Sequence, residues 1–331
     1  MRGFTRTVLC LVVVYSGLIW LPASAEESAQ KAVLVTGASS GIGLRITEHL
    51  AAEGHFVYAG ARKDEDIARL SAMDNVMGIR LDVTVQEEID AALELVRREG
   101  RGLYGIVNNA GVNVIGPLIE LDEGELDFLF DVNVYGPYRV NKTFAPLIIE
   151  SKGRISNISS ISGVLTGPLY GIYAMSKHAL EAYTDALAIE MGMLGVKVSA
   201  VEPGNYKSKI GDTRCERFLD QEVDPQESYW ADYIKQVVDN CENRPENTAP
   251  EPDDVARAVL SALFDDDPKE HYMVVPEQFQ AEITIRKAIE ELVRYNEDHE
   301  FSYSKEELVE MLEDEFDTGD AFIRSVSAPQ Q

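Results

Sequence analysis

Two side chains in the run Tyr173-Ala174-Met175-Ser176-Lys177 are of types that move protons. Good helix formers dominate after Gly171, so the run is expected on a helix. A spacing of four then puts Tyr173 and Lys177 on one face, a turn apart. An ammonium beside a phenol stabilises the phenolate, so the Tyr173 pKa is expected to fall toward the working pH. Such a phenol is a general acid or base for an alcohol or a carbonyl. Taken alone, the pair reads better as two inert surface residues. Tyr170 has no such partner, because Ala174 stands four residues on.

The elements around the pair change that reading. Residues 31–35 read as a short buried strand, running into Thr36-Gly37-Ala38-Ser39-Ser40-Gly41-Ile42-Gly43. An amphipathic helix follows through Glu53, with Ile42, Ile46 and Leu50 on one face. Glycines let the main chain approach a pyrophosphate, and a helix start supplies N–H donors and the positive end of a dipole. The spacing G-x-x-x-G-x-G differs from the dinucleotide-binding G-x-G-x-x-G, so the turn carries weight only in its strand–helix setting. The second strand, residues 55–60, ends in Ala61-Arg62-Lys63. An acid there would hold a ribose 2′-hydroxyl, and an arginine accommodates a 2′-phosphate. The acid is missing and Arg62 is present, which favours NADP(H) over NAD(H); two merely exposed charges are the plain alternative.

Further strands are expected over residues 76–81, closed by Asp82-Val83, and over 105–111, which ends in Asn108-Asn109-Ala110-Gly111. Others run over 153–158, ending in Ser159-Ser160, over 196–201, ending in Glu202-Pro203-Gly204-Asn205, and over 271–275. Helices are expected between them over residues 64–72, 87–98, 123–150 and 255–264. This alternation predicts one α/β domain, residues 31–276, with a Rossmann-type doubly wound parallel sheet and helices on both faces. Asn133-Val134-Tyr135-Gly136 falls inside the long helix, where a glycine costs ~1 kcal/mol, an odd place unless something there matters. Residues 206–254 turn polar and acidic with interleaved aromatics, and read as a substrate-side insertion. Residues 277–324 read as an extension of two acidic helices, the second opened by a capping box of Ser304 and Glu307. The last residues, 325–331, look disordered.

The formal net charge of -27 repels nucleic acid and anionic membrane surfaces. Arg2 and Arg6, an apolar run from Val8 to Leu21, and Ala23-Ser24-Ala25 form the pattern of a signal peptide cut after Ala25. An uncut membrane anchor is the second reading, and a cytoplasmic protein follows if the segment is not used. Cys10, Cys215 and Cys241 form no CxxC or Cys/His cluster, so no metal site is expected. In an exported chain Cys215 and Cys241 would pair and restrain the insertion; two unpaired cysteines are an equally open reading.

With these pieces in order, the sequence resembles the short-chain dehydrogenase/reductase family over about residues 31–276. The resemblance rests on the glycine turn, Asn108-Asn109-Ala110-Gly111, Asn133, Ser160, Tyr173-x-x-x-Lys177 and Pro203-Gly204. The Glu202-Pro203-Gly204-Asn205 variant resembles the steroid and retinol dehydrogenase-like branch, which includes hydroxybutyrate dehydrogenases. The resemblance implies that Tyr173 moves the hydroxyl proton and that Lys177 lowers its pKa and holds the nicotinamide ribose. It implies that Ser160 bonds the substrate oxygen and Asn133 anchors a water of the proton relay. Gly37, Ser39, Gly41, Ile42 and Gly43 would form the cofactor turn, with Arg62 on the 2′-phosphate and Asp82 and Val83 at the adenine. Asn109, Ala110 and Gly111 would line the cofactor edge, with Pro203, Gly204 and Ser208 opposite, Ser208 standing where a threonine is usual. The partner implied is a small alcohol or carbonyl substrate; membrane association through the N-terminus and homo-oligomerisation stay open. The competing reading is a catalytically idle dinucleotide-binding sensor or scaffold, and a third makes the C-terminal helices an interaction module.

Overall fold

The structure, a computed structural model, describes residues 30–221, 224–243 and 247–318. The N-terminal apolar segment, with its expected cleavage after Ala25, and the tail from Ser325 lie outside those residues. β1 (Ala32–Val35) is buried at every position, as a strand covered on both faces must be. It sends Leu34 to one face of the sheet and Val33 and Val35 to the other. The chain continues through α1 (Gly41–Ala52), β2 (Phe56–Ala61), α2 (Asp64–Ser71), β3 (Val76–Arg80), α3 (Gln86–Glu99) and β4 (Gly105–Asn108). Next come α4 (Glu123–Phe130), α5 (Gly136–Ser151), β5 (Arg154–Ile158), α6 (Gly171–Gly192) and β6 (Lys197–Pro203). The rest is α7 (Ile210–Asp220), α8 (Ala231–Glu242), α9 (Asp253–Phe264), β7 (His271–Val274), α10 (Gln278–Tyr295) and α11 (Lys305–Thr318).

Among the described residues the strands form one parallel sheet in the order β3-β2-β1-β4-β5-β6-β7. Parallel neighbours need crossovers, and the crossover helices cover both faces. Leu34, Tyr58, Ile106 and Ile155 pack on one face with Val96 of α3 and Phe144 and Ile148 of α5. On the other face Val33, Val57 and Val107 meet Ile46 and Leu50 of α1 and Val259 and Leu263 of α9. The winding direction reverses between β1 and β4. Beyond the carboxyl ends of those strands a crevice opens, the position where such sheets place their ligands.

The helix expected over residues 123–150 is interrupted. α4 ends at Phe130, a π-helical turn spans Asp131–Tyr135, and α5 starts at Gly136. The wider turn presents Asn133 to the loop after β4, where its side chain accepts from Val112 N (2.8 Å) and donates to Val112 O (2.9 Å). Gly136 lets α5 approach the loop after β3, since a Cβ there would stand 2.7 Å from Val83 Cγ2.

The polar insertion folds as α7 and α8, joined by a Cys215–Cys241 disulfide with Cα atoms 5.2 Å apart. Phe218 and Ile234 bury against Ile115 beneath them. α10 touches the crevice rim at its first turn, where Gln280 Oε1 accepts from Asn205 N at 2.8 Å. Along the rest of α10 the apolar stripe of Ile285, Ile289 and Leu292 is exposed. The Ser304–Glu307 capping box forms in both directions: Glu307 Oε2 accepts from Ser304 N (2.7 Å), and Ser304 Oγ accepts from Glu307 N (3.2 Å).

Candidate active site

The crevice is a cavity of about 530 Å³. Its first wall is the turn between β1 and α1. Gly37 and Gly41 sit at φ 63° and 53°, a region that side chains with a Cβ avoid. A Cβ on Gly43 would stand 2.3 Å from Asn109 Nδ2 and 2.4 Å from Gly37 O. Asn109 clamps the turn by donating to Thr36 O (3.0 Å) and Gly37 O (3.1 Å). Thr36 Oγ1 in turn accepts from the main-chain N–H of Asn109 and of Ala110, both at 3.0 Å. Thr36 has no role assigned from the sequence; its place directly before Gly37, as the first polar residue after a buried strand, was the available signal. Ser40, the N-cap of α1, makes no side-chain cap bond. The first N–H groups of that helix, at Gly41, Ile42 and Gly43, therefore lack a capping side chain where they line the cavity. A cradle that a Cβ would fill, beside an uncapped helix start, fits a pyrophosphate.

Ser39, Arg62, Asp82 and Val83 line the far end. The Arg62 side chain is 69% exposed, and Asp82 Oδ2 lies 3.9 Å from its Nη1. Asp82 Oδ1 is occupied by Thr84 N (2.9 Å) and Thr84 Oγ1 (2.7 Å). The Arg62 fork is thus loosely held and open to a second anion.

The opposite wall carries Tyr173 and Lys177. The N-terminal turns of α6 place Tyr173 and Lys177 on one face, as their spacing predicts, and both line the cavity with Ser160. Ser160 ends the loop after β5 and caps a short turn, accepting from Ser162 N at 3.0 Å; it is also a hydrogen-bond partner of the Tyr173 phenol. Ala110, Gly111, Pro203, Gly204 and Ser208 complete the lining. Gly204 leaves room for Gln280, whose Oε1 would stand 2.1 Å from a Cβ there. Asn133 does not line the cavity. It is 1% exposed and stands behind Gly111, its amide engaged by Val112 and by Ser176 Oγ (3.1 Å).

The Tyr173 pKa runs opposite to the expected lowering. Burial pushes the phenol up to about 12, with the Ser160 hydroxyl and the Arg214 charge pulling against it. Lys177 is 5% exposed, and burial pushes its ammonium down to about 8, with Glu181 pulling against it. Its Nζ donates to Ile158 O at 3.0 Å and lies 5.8 Å from the centre of the Tyr173 ring. The spacing put the two groups on one face, but the degree to which the walls exclude water could not be read from it.

Two polar clusters have no role assigned from the sequence. Behind the cavity, Asn108 Nδ2 donates to Asn141 Oδ1 and Asn157 Oδ1, both at 2.8 Å, tying β4 to α5 and β5. One turn past Lys177, Glu181 faces Glu202 of β6 and His271 of β7. His271 Nδ1 lies 2.6 Å from Glu202 Oε1 and 3.6 Å from Glu181 Oε2, and its Nε2 is 2.9 Å from Asp185 Oδ1. Hydrogen bonds to Asp185 and Glu202 push His271 up to about 10. Burial and the Glu202 charge push Glu181 up to about 7.

The profile of the family described as short chain dehydrogenase matches residues 31–217. The chain belongs to the short-chain dehydrogenase family. This short-chain dehydrogenase is 38% identical over 197 residues to YbbO, an uncharacterized oxidoreductase of Escherichia coli (strain K12), covering 59% of this chain and 73% of that one. It is 39% identical over 194 residues to the mitochondrial D-beta-hydroxybutyrate dehydrogenase of Bos taurus, covering 56% of each. It thus spans just over half the length of the bovine enzyme. A solved short-chain dehydrogenase from Streptomyces avermitilis superposes with a TM-score of 0.63 at 28% identity, over 82% of this chain and 99% of that one. ElxO with NADP bound superposes with a TM-score of 0.60 at 25% identity, over 76% and 99%.

Proposed function

We propose that this short-chain dehydrogenase interconverts an alcohol and a carbonyl compound with NADP(H), and that Tyr173 is the acid/base. The observation that carries the reading is the meeting of Ser160, Tyr173 and Lys177 on one wall of a cavity whose other wall is a glycine cradle at an uncapped helix start. The nicotinamide, when bound, supplies or accepts the hydride. The chain's own residues do the rest. The cradle from Gly37 to Gly43 holds the pyrophosphate with main-chain N–H groups, and Asn109 keeps the cradle in shape. Arg62 takes the 2′-phosphate as a charged fork. Ser160 holds the substrate oxygen, and Tyr173 Oη gives that oxygen a proton or takes one from it. Lys177 lies on the same helix face, and Asn133 fixes the loop behind it. The NADP bound to ElxO supports the choice of cofactor class.

We also place the enzyme in an oxidising compartment, reached through the N-terminal signal. The Cys215–Cys241 disulfide supports this, since such bonds are rare in reducing cytosol.

The test is a panel of alcohols and carbonyl compounds with NADPH and NADH, followed at the nicotinamide absorbance band. Turnover is expected with NADPH preferred. Tyr173→Phe is expected to lose about 10²–10⁴-fold in turnover while binding NADPH as wild type does. Near-normal turnover in that variant would remove Tyr173 from its role. Tight NADPH binding with no turnover anywhere on the panel would favour an idle sensor.

A further inference from the structure

The charge of the cavity runs against that of the chain. The sequence carries 57 acidic residues against 30 basic ones. Among the described residues, the cavity is lined by Arg62, Lys177, Lys209, Arg214 and Arg217, with Asp82 as its one carboxylate. A concentration of positive charge inside an acidic protein focuses on an anion. Arg62 lies at the cofactor's far end, and Arg214 and Arg217 stand on α7 at the other side of the cavity.

These cations are not equally available. Arg217 is committed: its Nε and Nη2 donate to the two carboxylate oxygens of Glu125 at 2.6 and 2.9 Å, and its guanidinium stacks on Phe128 at 3.7 Å. Lys177 is turned to the carbonyl of Ile158. Lys209 is exposed at the start of α7. Arg214 differs from all three. Its Nη1 donates to Tyr170 Oη at 2.9 Å, which fixes the guanidinium beside the start of α6. Its Nε is buried with no hydrogen-bond partner. Buried donors are normally satisfied, so an Nε without a partner leaves the guanidinium held from behind by no carboxylate among the described residues, with its charge unneutralised where the residue lines the cavity. Arg214 is close enough to Tyr173 for its charge to be felt at the phenol. It is also the residue before Cys215, so the disulfide to α8 holds the turn that carries it.

We infer that Arg214 anchors a carboxylate of the substrate, which is therefore a short oxo or hydroxy acid whose reacting carbon sits at Tyr173 while its carboxylate sits on the guanidinium fork. A planar guanidinium matches a carboxylate with two parallel N–H bonds, which sets orientation as well as affinity. This rests on the oxidoreductase reading above, and it adds the substrate class.

The experiment uses the full chain, with 2-oxo, 3-oxo and 4-oxo short-chain acids and the methyl ester of each. In wild type, kcat/KM for the best acid is expected to exceed that for its ester by about tenfold or more. Arg214→Met is expected to lower kcat/KM for the acid about 100-fold and to erase the preference over the ester. Arg214→Lys should recover part of the preference, because it keeps the charge and loses the fork. A second measurement does not depend on turnover: thermal stabilisation of NADPH-loaded Tyr173→Phe protein by succinate, expected with Arg214 and absent in Tyr173→Phe/Arg214→Met. Acids and esters turned over alike, or a preference that survives Arg214→Met, would overturn the anchor and leave the oxidoreductase reading standing. No turnover of any compound, with Arg214-dependent succinate binding intact, would do the reverse.

Discussion

On the side formed by β1, β4 and the start of α1, the cavity wall is main chain. Gly37, Gly41 and Gly43 present peptide groups, and Thr36 and Asn109 hold those groups from behind. On the side formed by α7, the wall is long side chains: Lys209, Arg214 and Arg217, set by a disulfide, an ion pair and aromatic contacts. The first wall is rooted in the sheet, where Val35 and Val107 are fully buried. The second rests on a small satellite core of Ile115, Phe218 and Ile234. The difference fits a constant ligand on one side and a variable one on the other. Main-chain N–H groups recognise any pyrophosphate and leave little to vary. Side chains on a separately stapled layer can be exchanged without disturbing the sheet.

The contrast breaks if a small change on the main-chain wall is tolerated. Gly43→Ala puts a methyl group 2.3 Å from Asn109 Nδ2 and 2.4 Å from Gly37 O, and backbone cannot yield as a side chain tip can. Overpacking of this kind costs about 1–3 kcal/mol. The expected result is a rise of about 5- to 150-fold in the NADPH Kd by calorimetry. An unchanged Kd would show that the cradle is not where the dinucleotide lies. On the other wall, Cys215→Ser/Cys241→Ser removes the staple between α7 and α8. The chain-entropy limit for such a bond is ~3 kcal/mol, and a part of it, about 1 kcal/mol or roughly fivefold, is expected in KM. The NADPH Kd should stay as it was. A variant that loses cofactor affinity and substrate affinity together would mean that the two walls are one unit.

The sheet and the main-chain wall were legible in the sequence, and the side-chain wall largely was not. Glycines that must lie at positive φ or beneath a neighbouring chain announce themselves by type, and Tyr173 and Lys177 announce a helix face by spacing. Asn133 and Gly136 were visible as misfits in a helical pattern, though nothing in the pattern said that a π turn would absorb them. Arg214 was invisible, because its importance comes from Tyr170 and Tyr173, which only the packing of α7 on α6 brings near. The Tyr173 pKa went the wrong way for the same reason. A spacing of four gives a neighbour, but burial is a property of everything around it. The paired cysteines were seen as candidates, and their distance could be supplied only by the fold.

The smallest effect is expected where the last two strands, β6 and β7, meet α6. Glu181 and Asp185 of α6, Glu202 of β6 and His271 of β7 face one another, and Lys177 lies one turn away. His271 is raised to about 10 in the folded protein, against about 6.5 when unfolded. The folded state therefore holds this proton more tightly. Its contribution to stability is complete below about pH 6.5 and is lost as pH rises through about 10. Glu181, raised to about 7, acts in the same direction over a lower window, from its ordinary value near 4.5 up to about 7. The His271 side chain is 42% exposed, so water and salt weaken the pairing, and about 1 kcal/mol or less is expected from it. His271→Gln should accordingly be less stable than wild type at about pH 6, by urea unfolding, and the gap should close by about pH 10. Raising the salt at the lower pH should narrow it too. A gap that is the same at both pH values would mean that His271 acts by packing alone, and that the seam between α6 and the last strands is not held by charge.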